Sequence, residues 1–187
     1  RGRLRDTDFG VLAHALTRLQ DAPLLIDDSA SRSVASVRAV ARRLHRRDGV
    51  RLVVVDYVQL LRSDEPEENR QQEMRMISAG LKALARDLGS PVLVCCQLNR
   101  AIEARGDTRP RLSDLRESGA LEQDADVVLM LWNDPAKRRE LGPGEAGPLT
   151  VLIAKQRNGP KGTADVYYAP RTGRFEDYAA RAQADAA

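Results

Sequence analysis

Cysteine is nearly missing from this chain: Cys95 and Cys96 are the only two in 187 residues, and they are adjacent. Neighbouring residues of a strand point to opposite faces, so these two do not bridge, and a disulfide framework is excluded. Two free thiols fit a reducing cytosol. No apolar run reaches membrane-spanning length, and the opening RGRLRDTDFG is not a signal peptide. Internal repeats and low-complexity segments are also lacking. The two histidines, His14 and His45, have no ligand spacing around them, so neither is assigned to a metal. The most consequential absence is the phosphate loop: G-x-x-x-x-G-K-[ST] occurs nowhere. The nearest approach, GPKGT at Gly159–Thr163, has its Lys in a hairpin turn rather than opening a helix, and reads as a turn.

What is present fits one domain, or a large piece of one, with a real core. The net charge of +3 is mild, but its distribution is uneven. Arg42, Arg43, Arg46 and Arg47 cluster at the end of one predicted helix, and Arg100, Arg105, Arg109, Arg111 and Arg116 crowd one loop region. Acids gather at Asp64–Glu68.

Helical spacing of Phe9, Leu12, Leu16 and Leu19 predicts a first helix capped by Asp6 or Thr7. Leu24-Leu25-Ile26 reads as a short strand. A second helix starts at Ser31 or Ser33, buries Val34, Val37, Ala41 and Leu44, and stops at Gly49. Arg51–Leu61, RLVVVDYVQLL, is an apolar run into one carboxylate, the pattern of a parallel strand buried on both faces. A long helix follows with Met74, Ile77, Leu81, Leu84 and Leu88 inward. Val92–Gln97 and Val127–Trp132 are strands, and Asp134–Pro148 a disordered loop. Leu149–Ala154 and Thr163–Tyr168 form a hairpin signalled by Asn158-Gly159, and Arg174-Phe175 adds a last strand. Strands alternating with helices mean right-handed crossovers and a mainly parallel sheet flanked by helices. The C-terminal part is antiparallel, and Ala179–Ala187 is a flexible tail.

Four features can carry chemistry. Asp56 ends its strand where a carboxylate can hold the Mg²⁺ of a nucleotide; the plainer alternative is a helix cap or a solvated strand end. Gln97 ends the next strand, on the same sheet edge if the two are parallel neighbours, where an amide can sense a γ-phosphate. It can equally be an ordinary polar strand end. In Leu112–Asp126, LSDLRESGALEQDAD, Arg116 and the backbone N–H groups of Ser118 and Gly119, a Gly in a tight turn, can hold phosphates without reading bases. The alternative is a solvated loop. Lys155 and Arg157, two apart at a strand end, project to one side and can reach a phosphate held by another subunit, or are simply surface charges at a hairpin. Trp132 reads as packing rather than as a base-stacking platform.

Taken in order, LLIDD, LVVVDYVQLL, CQLNR, LSDLRESGALEQDAD and IAKQRNGPKGT resemble the C-terminal motor domain of bacterial replicative DNA helicases of the DnaB family. The resemblance runs from about Leu4 to Tyr178, and Ser113–Asp126 is its most specific segment. It implies a RecA-like α/β fold, a homohexameric ring and ATP-driven 5′–3′ movement on single-stranded DNA, with a helicase loader and a primase as partners. Matched by motif, Asp56 is similar to the aspartate that holds Mg²⁺ and Gln97 to the γ-phosphate sensor. Arg157, with Lys155 beside it, resembles the finger that reaches a neighbour's ATP. Arg116, Glu117 and Gly119 match the loop that tracks the DNA backbone. Cys96 stands where the family usually has Ser.

The family's phosphate-binding Lys and Thr, and its catalytic Glu, correspond to a segment upstream of Arg1. The expectation is therefore a fragment of a motor domain, inactive as an ATPase by itself, with an interruption in its sheet. The alternatives are a truncated paralogue that joins or regulates a helicase ring, or another RecA-like ATPase; LRESGALEQDAD argues against the latter.

Overall fold

The computed structural model describes residues 5–29, 32–138, 141–142 and 144–178, and leaves the side chains of residues 6 and 116–118 undescribed. The tail expected at Ala179–Ala187 lies outside the described residues. The chain divides into two compact units, residues 1–30 and 31–187.

In the first unit, α1 (Asp6–Gln20) begins on Arg5 rather than on Asp6 or Thr7. The Arg5 carbonyl accepts from the Asp8 N–H at 2.8 Å, and the Asp8 carboxylate accepts from the Arg5 N–H at 2.8 Å, a reciprocal cap. The apolar stripe Phe9, Leu12, Leu16, Leu19 is exposed. No strand forms at Leu24–Ile26, whose side chains are exposed. A lone three-residue strand has no ladder to join within this unit, and an unpaired strand has no stability of its own.

In the second unit, α2 (Val34–Asp48) starts on Ser33, whose Oγ accepts from the Ser36 N–H, and stops at Gly49 with φ 68°. The long helix α3 (Arg70–Leu88) is capped by the Asn69 side chain and ends at Gly89 with φ 58°. Its five expected inward residues are all buried, and Ile77 and Leu84 are fully so. Gly80 lets α2 approach closely: a Cβ there would lie 2.4 Å from Cγ1 of Val34, a buried and rotationally stiff side chain.

Two sheets result. Strands β1 (Val53–Val55) and β2 (Val92–Val94) are parallel, Val53 facing Val92 and Val55 facing Val94. Strands β3 (Val127–Trp132), β4 (Gly147–Gln156), β5 (Gly162–Ala169) and β6 (Arg174–Asp177) make an antiparallel sheet in sequence order. The expected hairpin is its centre. Its turn is longer than the Asn-Gly signal suggests, and Gly159 is not in the left-handed region, because β4 ends at Gln156 and β5 starts at Gly162. Among the described residues, β2 pairs only with β1 and β3 only with β4, so the sheet is interrupted as expected.

The apolar strand runs are not buried on both faces. Val53, Val55, Val92 and Val94 pack on α2 and α3 around Val34, Met74, Ile77 and Leu81. Val54 and Leu93, pointing the other way, stay about half exposed, as do Val127, Leu129 and Leu131 of β3. Apolar sequence marks both faces, but this unit supplies cover for one. A second core joins Met130 and Leu152 to Leu115 of a short 3₁₀ segment, Leu112–Ser118, and Cys96 touches both cores. Within Asp134–Pro148 the described part is tied down, not free. Lys137 Nζ meets the Asp165 carboxylate at 2.6 Å, and Arg138 donates to the carbonyls of Glu145 and Pro148.

Candidate functional site

The parallel pairing of β1 and β2 brings their C-terminal ends to one edge. Asp56 follows β1 directly and Gln97 follows β2 by three residues. The ladder continues past both strands: the Cys95 N–H donates to the Val55 carbonyl at 2.9 Å, and the Val58 N–H donates to the Cys95 carbonyl at 3.0 Å. Asp56 and Gln97 are both exposed. Among the described residues, neither the Asp56 carboxylate nor the Gln97 carboxamide has a hydrogen bond or ion pair, so both are available to a ligand. Val58, fully buried, anchors the turn behind Asp56.

Gln59, which sequence reasoning missed, sits between them. Its Nε2 donates to the Gln97 carbonyl at 3.2 Å and to Cys96 Sγ at 3.3 Å, and its Oε1 accepts from the Gln97 N–H at 3.5 Å. The available signal was a single amide inside the apolar run YVQLL.

Lys155 and Arg157 do project together, and they lie at the opposite edge. Arg157 shares a cleft with Lys82, Gly89, Ser90, Pro91 and Asp126, and Pro91 is at the N-terminal end of β2. Six residues of extended chain separate Pro91 from Gln97, about 20 Å at strand rise. The Arg157 guanidinium is half exposed and pairs with the Asp126 carboxylate at 3.3 Å, while the Arg157 backbone N–H donates to the Asp126 carbonyl at 2.8 Å. Lys155 Nζ donates to the carbonyls of Glu122 and Gln123 at 2.6 and 2.9 Å. It thereby satisfies the C-terminal end of α4 (Gly119–Asp124).

Lys82 also binds the Asp126 carboxylate. That hydrogen bond, with the charges of Lys82, Arg157 and Lys155, holds the Asp126 carboxyl below the usual aspartate range. Because its folded pKa is depressed, the stabilisation is present above the ordinary aspartate value of 3.8 and is lost as pH falls through the lowered value. The carboxyl ¹³C shift of Asp126 should therefore titrate with a midpoint below 3.8, and a midpoint at or above 3.8 would remove this ion pair from the account.

The 3₁₀ segment and α4 hold the third candidate. Leu115 and Leu121 pack into the cores on either side of residues 116–119. Asp114, 9% exposed, ties the segment down: its Oδ2 accepts from Arg105 Nη2 and from the Arg111 N–H, both at 2.8 Å. Arg105, Arg109 and Arg111 therefore serve the chain itself, Arg109 lying over the Trp132 ring at 5.5 Å. Trp132 packs beside Met130, as read. The side chains of Arg116 and Glu117 lie outside the described residues. Gly119 is not in a tight turn; it opens α4 with φ −54°, and a Cβ there would meet nothing within 4 Å.

No group of three or more metal-ligating side chains occurs among the described residues. Mg²⁺ held through one carboxylate, its waters and a substrate phosphate is the arrangement that a single free Asp56 fits.

The family model "DnaB-like helicase C terminal domain" matches residues 1–177. The chain belongs to this family. It is 44% identical to the replicative DNA helicase DnaB of Leifsonia xyli subsp. xyli, covering 96% of this chain and 39% of that protein. Against the DnaB of Geobacillus stearothermophilus the figures are 43%, 93% and 38%, so the chain spans about two-fifths of these relatives. Among solved structures, an ATPase domain aligns with a TM-score of 0.83 at 37% identity, over 91% of this chain and 60% of that one. A DnaB-like replicative helicase, studied with its primase interactions, aligns with a TM-score of 0.83 at 36% identity, over 93% and 42%. The RecA-like α/β fold expected from the motifs is the fold of this DnaB-family chain. No described helix is long and apolar enough to cross a membrane.

Proposed function

We propose that this chain is part of the motor of a replicative DNA helicase, hexameric and moving 5′–3′ on single-stranded DNA at the expense of ATP. The observation that carries this reading is the division of polar groups between the two sheet edges. Asp56 and Gln97, both uncommitted, stand at one edge, and Arg157 stands at the other, beyond reach of them. A cation so placed serves a nucleotide on another copy, not its own.

In this reading Asp56 would hold Mg²⁺, which would offset the charge of the nucleotide's phosphates. The Gln97 carboxamide is a neutral donor at the γ-phosphate and contributes no charge of its own. Arg157 supplies the planar donor that matches phosphate oxygens, and Lys155 secures α4 beside it. Support for a DNA-tracking role of Arg116, Glu117 and Gly119 is the open space at Gly119 and the firm anchoring on either side. Backbone contacts of that kind suit movement along any sequence. A loader, a primase and a cytoplasmic setting follow from the same reading.

The deciding experiment uses the full-length protein carrying this segment: ATP-dependent unwinding of a forked duplex with a 5′ tail. Unwinding from 3′ tails alone, or strand exchange without unwinding, would replace the reading. The isolated 187 residues are expected to show no ATPase. In the full-length protein, Arg116→Ala should weaken single-stranded DNA binding and lower the slope of log K against log salt by about 0.7. An unaltered slope would move the contact elsewhere.

A further inference from the structure

At the point where β1 turns away, β2 still has a rung to satisfy. Cys95 uses its N–H and carbonyl on Val55 and Val58, and the next residue facing the same side is Gln97. No peptide group of the first strand remains there, since the chain has entered the 3₁₀ turn Val58–Leu60. The Gln59 carboxamide takes that place. It offers one donor to the Gln97 carbonyl and one acceptor to the Gln97 N–H, at 3.2 and 3.5 Å.

Its own footing is firm. Val58 just before it and Leu61 two residues after it are buried. The Gln59 carbonyl accepts from Arg70 Nη2 at 2.9 Å, and Arg70 is paired with Glu73 on α3 at 2.6 Å. The Gln97 backbone is thus held from one side by a side chain whose base is rooted in the Asp56 turn and in α3.

We propose that Gln59 is a positioning residue for Gln97: its carboxamide continues the β1–β2 ladder by one rung and so fixes the backbone from which the Gln97 amide is presented beside Asp56. This rests on the reading of Gln97 as the γ-phosphate sensor. Gln59 touches no substrate and acts only through Gln97, so its effect disappears when the Gln97 amide is removed.

The test is a double-mutant cycle in the full-length protein, with ATPase kcat and KM as readouts and thermal unfolding as a folding control. Gln59→Leu keeps the side chain's bulk and removes both hydrogen bonds. It should lower kcat about tenfold, with KM for ATP changed less than about twofold, the pattern of a contact made in the transition state. Gln59→Glu keeps an acceptor for the Gln97 N–H and loses the donor to its carbonyl, and should fall between. On a Gln97→Ala background, Gln59→Leu should cost nothing further. Equal losses on both backgrounds would overturn the proposal, as would a normal kcat for Gln59→Leu when Gln97→Ala is impaired. A normal kcat for Gln97→Ala itself would instead overturn the sensor reading and the proposal with it. If Gln59→Leu unfolds, the same cycle run with Gln59→Glu decides by the same criteria.

Discussion

Replacing Arg157 by alanine in the full-length protein is expected to reduce ATP hydrolysis by about 10³-fold or more while ATP binding stays near wild type. The argument is differential binding. A guanidinium that meets the phosphates only as charge shifts in the transition state adds little to ground-state affinity and much to the rate. Asp126 holds this guanidinium in the cleft at the Pro91 end of β2, away from the end that carries Gln97, so the loss should appear at the site of a neighbouring copy. Single-turnover hydrolysis and nucleotide binding, measured on the same preparation, separate the two quantities. Weakened binding with normal turnover would make Arg157 a substrate-binding residue and remove the finger assignment. Arg157→Lys is expected to recover little, because a point charge on a flexible stem does not reproduce the planar fork.

The second large effect concerns stability. Ile77→Ala should cost roughly 2–5 kcal/mol, because the side chain is fully buried and deleting it leaves a cavity as well as lost transfer energy. Ile77 lies in one cluster with Val34, Val55, Val58, Leu61, Met74 and Leu81, spanning two helices, β1 and the turn behind Asp56. That cluster cannot close the gap without moving β1. Denaturant unfolding of wild type and variant measures the cost directly. A loss below about 1 kcal/mol would mean that the site relaxes freely and that the core is less tightly packed than described.

The sequence read well where one side chain per turn or per strand end carried the information. Helix α3 was legible because Met74, Ile77, Leu81, Leu84 and Leu88 keep one face, and Asn69 and Gly89 mark its ends. The position of Asp56 and Gln97 past the C-terminal ends of two parallel strands was legible because each interrupts an apolar run. The failures have a common cause. Burial of Val54 and a strand at Leu24–Ile26 both depend on what lies opposite, which no local pattern reports. Arg105 turned inward because Asp114 is there to receive its guanidinium, whereas the Arg111 guanidinium stays exposed and pairs with Asp107. Gln59 escaped notice for the same reason: an amide on a 3₁₀ turn gains meaning only when the end of another strand is found beside it.

The separation of Arg157 from Asp56 also constrains how copies of such a chain can associate. If Arg157 serves a neighbour's nucleotide as proposed, the contact is head-to-tail, and each copy plays a different part toward its two neighbours. A twofold pair would satisfy it only if Arg157 and Asp56 lay on one self-complementary patch, where residue i meets j and j meets i. A head-to-tail contact that closes into a ring leaves no site without a donor, whereas an open chain of copies ends with one site idle, so the specific ATPase activity of the full-length protein should climb with its concentration and level off once rings close.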